Sequence, residues 1–336
     1  MQRGTFRLVM GSVSGGPALT VTHVKGCVPE LAIYDVVVIG GGPAGLAAGL
    51  YAGRARLSTL VLERGVPGGQ ASTTYRVENY PGFTDGVLGP ELMQQMERQA
   101  GAFGAVIETL DVDKLQLAGG QFIIRGGEES RSARTVIVAT GTEPAKLGVP
   151  GEVEFRGRGV SYCATCDGAF FKAREIAVVG GGDSAIEEAI FLTRFASRVN
   201  VIHRRDQLRA TRVLQERAFG NPKVNFLWNS VVVEILGENR VRSLLIKNVK
   251  TGELRELPVD GVFIYVGTRP NTAFLEDILK LDPNGYIVTD ERMRTEVPGL
   301  FAAGDVRKKE LRQIVTAVAD GAIAAVEAGR FIDSMS

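Results

Sequence analysis

Cys163-Ala164-Thr165-Cys166-Asp167-Gly168 places two thiols three positions apart with a carboxylate directly behind them. A CxxC pair can cycle between dithiol and disulfide, persist as a structural disulfide, or give two thiolates to a metal. The chain holds 3 cysteines and 2 histidines, and Cys27, His23 and His203 are all remote from the pair in sequence. A four-ligand zinc site would have to recruit them from a distance, so no metal is expected. Dithiol–disulfide exchange is the natural reading, with an inert pair as its alternative. Asp167 is a candidate proton donor to a departing thiolate, or a charge at a helix start.

A second kind of chemistry is written in glycine. Residues 35–63 read DVVVIGGGPAGLAAGLYAGRARLSTLVLE, and a shift of 140 positions superposes them on EIAVVGGGDSAIEEAIFLTRFASRVNVIH. Each copy has an apolar run, a glycine cluster, a helical stretch of about 15 residues and a second apolar strand. This is the opening of a dinucleotide-binding unit, found twice. Gly40 makes the tight turn after the strand 36–39, Gly42 leaves room for a pyrophosphate, and Gly45 lets helix pack on strand. Their counterparts are Gly180, Gly182 and Ala185. Each pyrophosphate would lie at a helix N-terminus, where amide donors lack partners.

The ends of the second strands assign the ligands. Glu63 closes the first, where a carboxylate accepts from an adenosine ribose and repels a 2′-phosphate. The second copy has His203 there, followed by Arg204, Arg205 and Arg209. These suit a doubly charged phosphate. The first site therefore fits FAD or NAD, and the second NADPH.

The elements that must position these groups follow from composition and punctuation. The 336 residues suffice for two or three domains, with 45% hydrophobic and 23% charged residues and 42 glycines that follow no collagen-like period. Lys plus Arg number 39 against 38 Asp plus Glu, so the charge gives no argument for nucleic acid or an acidic membrane. No apolar run reaches the roughly eighteen residues of a membrane span. Strands are expected at 135–140, 261–266 and 300–303, and a helix at 314–328. Turn-rich links at 142–159 and 267–272 separate them. If the strands at 135–140 and 300–303 share a sheet, the second nucleotide domain is inserted in the first. The two links would then permit rotation. Residues 1–30, acid-free through Pro29, read as a disordered tail or as a start placed ahead of the true one at Met10 or later. No role is given to Cys27.

The sequence resembles low-molecular-weight thioredoxin reductases over residues 32–334. The motifs are GGGPAG at 40–45, GGQ at 68–70, ENYPG at 78–82, ATG at 139–141 and CATCDG at 163–168. GGGDSA at 180–185, HRRDQLRA at 203–210, GTRPN at 267–271 and AAGDVRKKELRQ at 302–313 complete the set. The resemblance implies an α/β fold of two Rossmann-like dinucleotide-binding domains. The NADPH domain with the CxxC (146–269) is inserted into an FAD domain made of 31–145 and 270–336.

It further implies that Glu63 and Gly68, Gly69 and Gln70 contact the adenosine and pyrophosphate parts of FAD. Asn79, Thr140 and Gly141 would add contacts, Asp305 would hold the ribitol and pyrophosphate region, and Gln313 and Ile314 would lie by the isoalloxazine. The motifs add Pro43, Ala44, Asp183, Ser184, Gly267, Gly304 and Arg312 to the cofactor-binding set. Cys166 is expected to face the flavin, Cys163 to attack the thioredoxin disulfide, and Asp167 to act as general acid. One domain orientation would serve the disulfide and another the nicotinamide. The implied protein is a cytoplasmic homodimer reducing thioredoxin or a close analogue; the acid-free tail keeps organellar targeting as an alternative.

Rival readings lack support in the motifs. A peroxide-system flavoprotein reductase would carry an added thioredoxin-like module before the first strand. A flavoprotein exchanging electrons between NADPH and ferredoxin would lack CATC, and a ferredoxin-driven variant would lack HRR. A non-catalytic redox reporter would show a broken site.

Overall fold

The computed structural model describes residues 33–335; the expected tail, with Cys27 and His23, lies outside them. The apolar run at the start forms β1 (Ile33–Ile39), whose Val36, Val37 and Val38 are fully buried. Both faces of the strand are covered, as an uninterrupted run of valines requires. Burying each such side chain contributes about 1.5–3 kcal/mol. Helix α1 (Pro43–Arg54) and β2 (Thr59–Glu63) follow, with β2 parallel to β1. A short 3₁₀ turn at Gly69–Thr73 leads into the small hairpin β3 (Arg76–Val77) and β4 (Val87–Leu88). Then come α2 (Gly89–Ala102), β5 (Val106–Thr109), β6 (Lys114–Ala118), β7 (Gln121–Gly126) and β8 (Glu129–Val138).

Strand β8 does two jobs. Residues 129–133 pair antiparallel with β7, and Thr135–Val138 run parallel between β1 and the later strand 300–302. The expected strand at 135–140 therefore starts earlier and ends two residues sooner. The next segment, β9 (Thr142–Pro144), belongs to the first crossing.

Beyond that crossing lie β10 (Val160–Ser161), the short helix α3 (Ala164–Asp167), β11 (Glu175–Gly180), α4 (Asp183–Leu192), β12 (Arg198–Ile202), α5 (Arg212–Phe219) and β13 (Val224–Leu227). An antiparallel layer, β14 (Ser230–Gly237), β15 (Val241–Asn248) and β16 (Leu254–Pro258), precedes β17 (Gly261–Tyr265). The second main sheet has the parallel order β10-β17-β11-β12-β13. Strand β18 (Thr268–Pro270) makes the return crossing and pairs antiparallel with β9. The two crossings are thus one short ribbon.

The chain then re-enters the first sheet as β19 (Leu300–Ala302) and ends in α6 (Ile314–Met335). That helix runs past the expected end at 328 because Phe331 and Ile332 still pack on the apolar layer under α1. Helices α1 and α6 touch through backbone: a Cβ on Gly321 would lie 2.1 Å from the Ala44 carbonyl oxygen. Both nucleotide-type helices are shorter than the expected stretch, at 12 and 10 residues. No helix among the described residues is long and apolar enough to cross a membrane.

Candidate active site

The first glycine turn is built by close approach. Gly40 sits at φ +108°, and a Cβ there would be 2.4 Å from the Ala139 carbonyl oxygen; one on Gly45 would strike the Gly40 carbonyl oxygen at 1.8 Å. Only glycine tolerates either position. Pro43 opens α1, whose N-cap Gly42 offers no side-chain acceptor, so the first amides stay available. Gly68 donates its N–H to the Gly41 carbonyl at 2.8 Å. The backbones of Gly42 and Gly69 then face each other, a Cβ on Gly42 meeting nothing nearer than the Gly69 Cα at 3.9 Å. Glu63 Oε2 accepts the Gly41 N–H at 2.7 Å, and Oε1 accepts that of Gly65 at 3.2 Å.

Other expected residues of this site have partners inside the protein. Gln70 donates to the carbonyl and hydroxyl of Thr142 at 2.5 and 2.8 Å. Thr140 donates its hydroxyl to the Asn271 carbonyl at 2.8 Å, while Gly141 accepts the Asn271 N–H at 3.1 Å. These bonds lash the two crossings together. Asn79 donates to Gln313 Oε1 at 3.0 Å, joining residues 234 positions apart, and Ile314 packs on the small apolar cluster beneath them. Gly304 and Asp305 form a 3₁₀ turn against Ala44. Asp305 Oδ1 is buried without a hydrogen-bond partner among the described residues, and burial raises its carboxyl above the ordinary range. Arg312 lies over the Tyr286 ring at 4.3 Å, its Nε equally unpartnered.

At the second turn, α4 also starts from an uncapped glycine, Gly182, beside which a Cβ would meet nothing within 4 Å. Ala185 packs under Gly180, Ser184 is exposed, and Asp183 Oδ1 accepts the Thr211 N–H at 2.7 Å. The Gly181 carbonyl accepts the N–H groups of Arg209 and Ala210 at 2.7 and 3.1 Å. This folds the arginine segment over the glycine turn. Arg204, Arg205 and Arg209 line a cavity of about 440 Å³ with Asn229 and Lys250. None of the three guanidiniums has a carboxylate partner among the described residues. His203 is set apart from them. It is 6% exposed, its Nε2 bonds the Gln207 carbonyl at 3.0 Å, and burial lowers its basicity. The sequence groups this imidazole with the arginines; the lining of the cavity does not include it. Gly267, at φ +127°, accepts the Ala145 N–H at 2.9 Å in the crossing ribbon, away from this cavity's lining.

Cys163 and Cys166 form a disulfide across α3. Cys166 is exposed and Cys163 half-buried. The Cys166 N–H donates to Cys163 Sγ at 3.2 Å, and the Thr165 hydroxyl lies 3.4 Å from the same sulfur. Thr165 also donates to the Thr73 carbonyl, in the 3₁₀ turn that carries Gly69 and Gln70. The helix that carries the disulfide thus touches the first nucleotide half through Thr165. Arg217–Glu78 at 2.7 Å, Tyr75 against Phe191 at 4.8 Å and Arg194 over Tyr75 at 4.6 Å extend that contact. No group of three or more His, Cys, Asp or Glu suited to a metal occurs among the described residues.

A family model described as pyridine nucleotide-disulphide oxidoreductase matches residues 34–321. The chain belongs to that family. Among its relatives, a thioredoxin reductase of Bacillus subtilis is 52% identical over 91% of this chain and 97% of the relative. A solved thioredoxin reductase of Lactococcus lactis, in its FR conformation, is 49% identical, covers 90% of this chain and 99% of its own, and overlays with a TM-score of 0.88. A thioredoxin reductase from Streptococcus pyogenes is 51% identical, with 91% and 100% covered, and overlays at 0.61. The pyridine nucleotide-disulphide oxidoreductase fold accounts for the two main sheets, and the low-molecular-weight thioredoxin reductases are the branch this chain matches.

Three positions in this family member escaped sequence reading. Tyr265 accepts the Ala164 N–H at 2.9 Å and so pins the start of α3. In the sequence it is only part of an apolar strand, although the carboxyl end of a parallel strand is where ligands and reactive groups gather. Lys309 lies inside the 302–313 motif and Asp320 beyond it; their pairing at 2.9 Å depends on α6 folding back over the turn at 304–306, which the motif does not show.

Proposed function

We propose that the chain is an NADPH-dependent thioredoxin-disulfide reductase, with FAD as resident cofactor and the Cys163–Cys166 disulfide as the exit for electrons. The observation that carries this reading is the contact of the disulfide helix with Thr73, next to Gly69 and Gln70 of the first glycine site. The residues fit FAD: the glycine-walled cleft at 42 and 69, the carboxylate of Glu63 and the unpartnered Asp305 Oδ1 supply room, a ribose acceptor and a hydroxyl acceptor. Gly40, Gly42, Pro43, Ala44, Gly45, Glu63, Gly68, Gly69, Asp305, Gln313 and Ile314 would hold it. FAD, when bound, accepts an electron pair from a nicotinamide and returns it to a disulfide.

The chain's own groups do the rest. Arg204, Arg205 and Arg209 bind the 2′-phosphate of NADPH by charge-assisted hydrogen bonds. In the reduced protein, the Cys166 N–H and the Thr165 hydroxyl stabilise a thiolate on Cys163. That thiolate attacks one sulfur of the thioredoxin disulfide, and the other leaves as a thiolate that takes a proton from Asp167. Cys166 then attacks Cys163, its thiol proton passing to the second departing thioredoxin thiolate, which releases dithiol thioredoxin and restores the 163–166 bond.

The domain limits 31–145, 146–269 and 270–336 go with this reading, supported by the ribbon of β9 and β18 at both crossings. So does rotation about that ribbon: two relatives sharing half their residues with this chain overlay at 0.88 and 0.61. Sequence divergence does not separate them, which supports a different placement of similar parts. We place a homodimer of the protein in the cytoplasm, where thiols are kept reduced.

The test is NADPH oxidation coupled to a panel of thioredoxin-like disulfides, with C163S and C166S alongside. Each serine variant is expected to lose thioredoxin reduction by about 10³-fold or more, while NADPH still bleaches the bound flavin. A serine variant that turned over thioredoxin normally would refute the reading.

A further inference from the structure

Where α6 folds back over the 3₁₀ turn at 304–306, several charges meet with little access to water. Asp320 accepts the Gly304 N–H at 3.0 Å, Arg307 Nη1 at 2.8 Å and Lys309 Nζ at 2.9 Å. The side chains of Arg307, Lys309 and Asp320 are 10 to 11% exposed. Lys309 Nζ also stands 3.9 Å from Asp305 Oδ1, the buried oxygen that has no hydrogen-bond partner among the described residues. That separation exceeds a hydrogen bond. The ammonium therefore lends its charge to Asp305 and leaves the acceptor free.

We propose that Lys309, held in place by Asp320, is a positioning residue that keeps Asp305 ionised and its Oδ1 open to a hydroxyl of the bound flavin dinucleotide. The inference rests on the FAD reading above and adds a residue to it. Burial and Asp320 both raise the Asp305 carboxyl, while Lys309 and Arg312 lower it; Arg307 shares the Asp320 oxygen with Lys309. Removing Lys309 takes away the largest lowering influence. Asp305 then protonates at higher pH, and its charge-assisted bond to a hydroxyl weakens to an ordinary one.

The experiment dilutes FAD-loaded protein into flavin-free buffer between pH 6 and 8.5 and follows the fluorescence of released flavin. Wild type is expected to retain FAD with little dependence on pH. K309M should release FAD several-fold more readily than wild type, and the excess should grow as the pH is lowered. K309R, which keeps the charge, should stay close to wild type. D305N should release flavin at every pH without a slope, and K309M combined with D305N should be no worse than D305N alone. K309M that matched wild type, or lost flavin equally at all pH values, would overturn the proposal. Should circular dichroism show K309M unfolded, K309Q takes its place under the same criteria. Wild-type protein that bound no FAD at all would remove the FAD reading and this inference together, a result distinct from K309M behaving as wild type.

Discussion

A Cβ on Gly41 would meet the Glu63 side chain at 3.1 Å; one on Gly181, 140 positions later, would meet the His203 ring at 2.3 Å. The residue at the end of the second strand packs against the middle glycine in both copies. In the first it is also a charged acceptor, because a carboxylate small enough to fit still reaches two amides. In the second the ring fills the space and is buried, so the charge passes to Arg204 and Arg205, which point into the cavity. Equivalent positions share a packing role and need not share a chemical one.

The helices differ for a related reason. Positions 47 and 48 of α1 are buried alanines, where α6 presses on the helix; the matching residues of α4 are Glu187 and Glu188. Burial, aided by neighbouring carboxylates, pushes Glu187 up to about 7 and Glu188 to about 8. Glu188 Oε2 has no hydrogen-bond partner among the described residues. The second copy tolerates groups that would be crushed in the first.

The contrast can be broken most strongly at the arginines. In R204A/R205A, kcat/KM for NADPH should fall about 100-fold while NADH changes by no more than about threefold, as expected when charge-assisted bonds to the extra phosphate are lost. Equal losses with both nucleotides would show that these residues read something common to the two.

A smaller effect concerns stability. The folded protein keeps a proton on Glu188 that the unfolded chain gives up above its ordinary value of 4.5, so stability falls as pH rises from there toward 8. E188Q should flatten that slope and be more stable than wild type by about 1–2 kcal/mol at pH 8. Urea unfolding at several pH values measures it, and an unchanged slope would mean the carboxyl ionises freely in the fold.

The least change is expected at His203. H203Q should alter the preference for NADPH over NADH by less than about twofold, because the ring is buried, bonded to the Gln207 carbonyl and outside the cavity lining. A loss resembling that of the arginine pair would place the imidazole in the phosphate site after all.

Much of this was legible because local patterns report local physics. The valine run of β1, the glycines that precede α1 and α4, and the CxxC depend on neighbours a few residues away. Spacing alone therefore displays their purpose. The placement of the His203 ring outside the cavity lining was not legible, because alignment with Glu63 predicts position and says nothing of which way a ring is buried. Gln70, Thr140 and Gly141 hold the crossings together through Thr142 and Asn271, contacts no motif encodes.

By itself the chain of residue types determined two nucleotide turns, the sign of charge beside each, and a reactive sulfur pair. Tertiary structure decided which groups meet: Thr165 with Thr73, Tyr265 with the amide of Ala164, and Lys309 between two carboxylates. The reason is physical. A turn or a strand end is set by sterics and hydrogen bonds within a few residues. The ionisation and free valence of a buried side chain depend on what distant segments bring within about 4 Å, where low dielectric makes each charge count.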